Sequence, residues 1–61
     1  MFIEVTSILK GKKLINLNTV SEIVSEDGTT KIYLIGEGDS YYTSVESYEE
    51  IKKIIMDAQS R

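Results

Sequence analysis

Tyr41-Tyr42-Thr43-Ser44-Val45-Glu46-Ser47-Tyr48-Glu49-Glu50-Ile51-Lys52-Lys53-Ile54-Ile55 reads as a strand running straight into a capped amphipathic helix. The strand covers residues 41–45. Ser47 and Glu50 stand three apart, the spacing of a capping box, in which the hydroxyl and the carboxylate each satisfy an amide. Glu49 and Glu50 also suit the positive end of the helix dipole. Tyr48, Ile51, Ile54, Ile55 and Ala58 fall on one stripe at about 100° per residue. Glu49, Lys53 and Asp57 fall opposite, and Glu49 four before Lys53 is a favourable pair.

Upstream of this stretch the pattern is β throughout. Residues 2–9 form a first strand, with Ile3, Val5 and Leu9 on one face and Phe2, Glu4, Thr6 and Ile8 on the other. Lys10-Gly11-Lys12-Lys13 reads as a turn into a second strand at residues 14–17. A third strand covers residues 20–25, although Thr19-x-x-Glu22 has the spacing to cap a helical turn instead. Glu26-Asp27-Gly28-Thr29 is the sharpest turn signal, because Asp-Gly between apolar runs marks a tight hairpin. The fourth strand covers residues 30–35 and is followed by a turn at residues 36–40. Short loops predict antiparallel neighbours. The expected fold is α+β: a five-stranded antiparallel meander, twisted or half-closed into a barrel, with one C-terminal helix.

The chain has 61 residues with no His, Cys, Pro or Trp. A domain this small buries only about 60% of its unfolded surface. Disulfides are excluded, and the usual structural zinc ligands are absent. Self-association is the remaining common source of added stability. A hydrophobic fraction of 41% is ordinary for a globular chain. The net charge is −3. Residues 1–31 balance Lys10, Lys12, Lys13 and Lys31 against Glu4, Glu22, Glu26 and Asp27, so the acidic excess lies in the rest. That distribution argues against nucleic acid, which selects a basic stripe. Glu4 interrupts the apolar Met1-Phe2-Ile3, so no signal peptide is expected. No run approaches the roughly 20 apolar residues of a membrane span. The expectation is a soluble, cytoplasmic single domain.

The strand starting at Met1, the Gly11-Lys12 turn, the Asn-ended second strand and Asp27-Gly28-Thr29-Thr30 recur together in one family. So does the ending Val45-Glu46-Ser47-x-Glu49-Glu50-Ile51. Over residues 1–56 the chain resembles the small FlbD-type proteins of bacterial flagellar gene clusters, one of which is associated with swarming motility. It is also similar to uncharacterised small bacterial and phage proteins. It departs from the family in a longer turn at residues 36–40 and in Tyr41-Tyr42 where an aliphatic pair is usual. The resemblance implies no enzyme activity and no cofactor, and it transfers no binding residues.

Candidate chemistry is sparse. Without His or Cys, the commonest general base and the thiol nucleophile are missing. Adjacent Glu49 and Glu50 point about 100° apart on a helix and cannot flank a substrate. Capping accounts for Glu46 and Glu50. Residues 10–13 lack the loop-to-helix geometry of a phosphate loop and read as a solvated tip. Glu37 and Asp39 fall short of the six to eight oxygens that calcium takes. No catalytic, cofactor or metal residue is assigned.

The aromatic and apolar residues carry more information. One helix covers one face of a sheet, yet the first and fourth strands are apolar on both. Ile3, Val5, Leu9, Ile32 and Leu34 are expected to meet the helix. Phe2, Ile8, Tyr33, Ile35 and Tyr42 are then expected on the far side, unless a bulge at residues 36–38 exchanges Tyr42 for Tyr41. Phe2, Ile8, Tyr33, Ile35, Tyr41 and Tyr42 are therefore the interface candidates, since tyrosines favour interfaces. The leading expectation is a non-enzymatic interaction or regulatory protein that docks onto another protein, itself a homo-oligomer. The alternative is a phage- or mobile-element-borne oligomer that sequesters a small nucleotide or blocks a host factor. A weak nucleic-acid binder using the Lys10–Lys13 tip is the third.

Overall fold

A computed structural model describes residues 1–36 and 40–60 of the chain. It has five strands and one helix: β1 Phe2–Ser7, β2 Gly11–Asn16, β3 Val20–Glu26, β4 Thr29–Leu34, β5 Tyr41–Ser44 and α1 Tyr48–Gln59. The strands form one antiparallel sheet that is not closed into a barrel.

Two local signals act as the residues dictate. Asp27 and Gly28 both take positive φ, 52° and 77°. That is the type I′ turn whose twist matches a right-handed hairpin, and it joins β3 to β4. At the helix start, the Ser47 hydroxyl accepts from the Glu50 amide at 3.1 Å, and the Ser47 amide donates to the Glu50 carboxylate at 2.9 Å.

The strand order corrects the expected meander. It runs β2-β1-β5-β4-β3, so β2 and β3 are consecutive in the chain but lie on opposite edges of the sheet. The link between them is a 3-10 turn, Leu17–Thr19, capped by Asn16 rather than by Thr19. The Asn16 side chain accepts from the Asn18 amide at 3.0 Å, and the Thr19 hydroxyl donates to the Asn16 carbonyl at 2.8 Å. This corner takes the place of a hairpin. The Leu17 amide bonds the Met1 carbonyl and the Ile35 amide bonds the Thr19 carbonyl, at 2.8 and 2.7 Å. Five flat strands would hold their edges about 19 Å apart. Four steps at 3-10 rise cover about 8 Å. The sheet must therefore curl until its edges approach the corner.

Irregularity in β3 serves the same curvature. The register shifts between Val20 and Glu22, leaving Ser21 as an extra residue. The bulge lets Val20 and Ile23, three apart, both pack on the core. The concave face holds Ile3, Val5, Ile15 and Ile32, and Ile51 of α1 closes it; all five are buried. Leu17, Leu34, Tyr42, Ile54, Ile55 and Ala58 pack around them. Leu9, expected in the core, is 90% exposed. The strand ends at Ser7 and turns through residues 8–10, so the turn lies earlier than Lys10-Gly11-Lys12-Lys13. Ser7 then occupies the buried position at the end of the strand.

Candidate docking surface

Register decides which tyrosines share a face. Tyr33 opposes Tyr41 and Ile32 opposes Tyr42. Cross-strand partners point the same way, and Ile32 is buried. Tyr42 therefore faces inward and joins the core, while Tyr33 and Tyr41 face outward. This corrects the expected outer face, exchanging Tyr42 for Tyr41.

The outward pair is in contact. The two ring centroids lie 5.2 Å apart with planes tilted by 46°. Lys31, two residues before Tyr33 and so on the same face, places its Nζ 4.9 Å from the Tyr41 ring centroid. The same Nζ donates to the Glu26 carboxylate at 2.6 Å, and that bond raises the Lys31 pKa above its ordinary value. Glu26, Lys31, Tyr41 and Tyr33 thus form a ledge on the convex side of β3, β4 and β5.

Phe2 does not join it. Ser7 opposes Ser44 in the antiparallel β1–β5 pairing. Tyr41 lies three residues to one side of that bridge and Phe2 five to the other. At about 3.3 Å per residue they are separated by about 26 Å, close to the molecule's 31 Å long axis. Phe2, Ile8 and Ile35 are each more than half exposed. The single apolar patch expected from the sequence is therefore split, with Phe2 and Leu14 at one end and the tyrosine ledge at the other.

A groove adjoins the ledge. It encloses about 470 Å³ and is lined by Ser7, Leu9, Lys10, Leu34, Ser40, Tyr41, Tyr42 and Thr43. It opens because β1 leaves β5 just after Ser7. Among the described residues Lys10 is the charged side chain in its wall. Lys13 is not a solvated tip residue as expected: it faces inward and sets its Nζ 4.2 Å from the Tyr42 centroid. Glu37 and Asp39 lie outside the described residues. Among the described residues no group of three or more metal-ligating side chains is gathered, and no helix is long and apolar enough to cross a membrane.

Glu46 has a role that capping did not anticipate. The Val45 amide bonds the Thr6 carbonyl at 2.7 Å, but the chain then leaves the sheet for α1. The Thr6 amide, which would next face a β5 carbonyl, donates to Glu46 Oε1 at 2.8 Å. The Ser44 hydroxyl donates to the same oxygen at 2.7 Å and accepts from the Glu46 amide at 3.0 Å. Partial burial pushes the Glu46 carboxyl up, but the Thr6 and Ser44 bonds outweigh it and bring its pKa down to about 2. Ser44-x-Glu46 was the available signal, since serine commonly bonds the amide two residues on. The carboxylate fixes the Ser44 end of β5, where the chain leaves the sheet for α1.

The chain matches no family model, no curated protein and no solved structure.

Proposed function

We propose that the protein acts by docking onto another protein, without catalysis, through the tyrosine ledge at the β4–β5 end. The Tyr33–Tyr41 pair carries this reading. Its rings are aligned by strand register and steadied by Lys31, and Tyr41 is 44% exposed. Rigid aromatic surface with a polar tip and an adjacent cation is the chemistry of interface anchors. The resemblance to FlbD-type proteins points to the same non-enzymatic class. Nucleotide sequestration has less support. Tyr42 is already engaged by Lys13, and Tyr41 by Tyr33 and Lys31, so neither ring is free on both faces to stack a base.

A photo-crosslinking residue placed at Tyr41 in expressing cells tests the proposal, with Glu49 on the exposed side of α1 as control. The expected result is one discrete heavier adduct from position 41 and none from position 49. An adduct at twice the chain's mass assigns the ledge to homo-oligomerisation instead. No adduct, or equal adducts at both positions, overturns the assignment.

A further inference from the structure

We infer that the groove beside β5 accepts an extended peptide bearing a carboxylate, which adds to β5 as a strand where β1 stops. The inference rests on the docking reading and specifies its partner.

Strand chemistry gives the first reason. The Ile8 amide donates to the Thr43 carbonyl at 2.9 Å. In an antiparallel ladder a residue's N–H and C=O point the same way, and alternate residues point alike. Thr43 and Tyr41 therefore direct their backbone groups toward β1, whereas Tyr42 and Ser44 direct theirs toward β4. The β1–β5 pairing contains only the Ser7–Ser44 bridge. Beyond it, the Ile8 bond is the one that reaches this edge among the described residues. Among the described residues the Thr43 N–H and both backbone polar groups of Tyr41 have no strand partner on this side. Donors and acceptors repeating every second residue are matched by another strand, as in β-augmentation. The open edge spans residues 41–43, about 7 Å at strand rise.

Charge and shape select the occupant. Among the described residues Lys10 is the charged side chain that lines the groove, and Leu9, Leu34 and Tyr42 supply apolar wall. Lys13 stands on Tyr42 at the adjoining cleft. Two lysines, Lys10 and Lys13, thus stand at this opening in a protein of net charge −3. An extended segment with alternating apolar residues and an Asp or Glu near Lys10 satisfies edge, wall and charge together.

The test is selection of random seven-residue peptides displayed on phage against the immobilised full chain. Enrichment of β-branched or aromatic residues in alternation with Asp or Glu is expected. Selection against Lys10→Glu should replace those acids with Lys or Arg. Thr43→Pro removes the amide facing the groove and should weaken an enriched peptide tenfold or more. Because that variant could lose the fold, amide exchange in the wild-type protein supplies a second readout. Bound peptide should slow exchange at Tyr41 and Thr43 at least tenfold and leave Tyr42 and Ser44 unchanged. No enrichment, acid-independent enrichment, or bound peptide without protection at Thr43 overturns the inference. So does protection at Tyr41 and Thr43 that rises with protein concentration alone, which assigns the edge to a second copy. A specific crosslink at Tyr41 alongside failed selection would keep the docking function and remove strand addition.

Discussion

Glu46 gathers one β1 amide and one β5 hydroxyl on a single oxygen, which makes the fold sensitive to acid. Its folded pKa, about 2, lies below the ordinary value of 4.5. The stabilisation is fully present above pH 4.5 and is lost as pH falls toward 2. Denaturant titrations across that interval should show falling stability in the wild type and a flatter profile in Glu46→Gln. At neutral pH the substitution should cost roughly 1–2 kcal/mol, because the bonds are charge-assisted but partly open to solvent. An identical pH profile for both proteins would place the acid sensitivity elsewhere. Gly28 is the other decisive residue. A Cβ there would meet nothing within 4 Å, so the cost of Gly28→Val is conformational alone. Left-handed φ costs an L-residue roughly 1–2 kcal/mol, and β-branching adds to it. The melting midpoint should drop accordingly; an unchanged midpoint would contradict the observed turn.

Among the elements, α1 depends on its first turn. Losing the Ser47 cap should cost about 1 kcal/mol in Ser47→Ala, measured by thermal unfolding. Helix and turn were legible in the sequence because both are local: a capping box needs four residues, and an Asp-Gly turn needs two. Strand ends were less legible. Leu9 continues the alternation of β1, yet the chain turns at residues 8–10, and nothing in a period-two pattern states where pairing stops. The Val20–Ile23 pair was ambiguous for a similar reason, since a bulge converts a spacing that breaks strand alternation into one shared face.

The whole molecule separates the tyrosines by consequence. Tyr33 and Tyr41 sit on the convex face, while Tyr42 packs against the core that Ile51 closes. Tyr33→Ser should leave the melting transition within a few degrees of wild type while removing the crosslink formed from position 41. Tyr42→Ala should destabilise by about 2 kcal/mol or more, as truncation of a core aromatic does. The reverse pattern in thermal melts would restore Tyr42 to the surface. Phe2 and Tyr41 do not meet, because β1 and β5 run antiparallel and carry them to opposite ends.

The sequence by itself determined the elements whose causes lie within a few residues: the Ser47–Glu50 cap, the Asp27-Gly28 hairpin, the α1 stripe and the α+β class with five antiparallel strands. Tertiary structure alone decided the strand order, the inward turn of Tyr42, the exposure of Leu9 and the capture of the Thr6 amide by Glu46. The strand order and the Thr6 capture depend on which strand lies on the other side of β5 from β4. That neighbour is β1, whose Ser7 pairs with Ser44, 37 residues later in the chain, a pairing set by the 3-10 corner after Asn16 and by burial of the concave face. Local propensity carries no record of a contact made across the whole length of the chain.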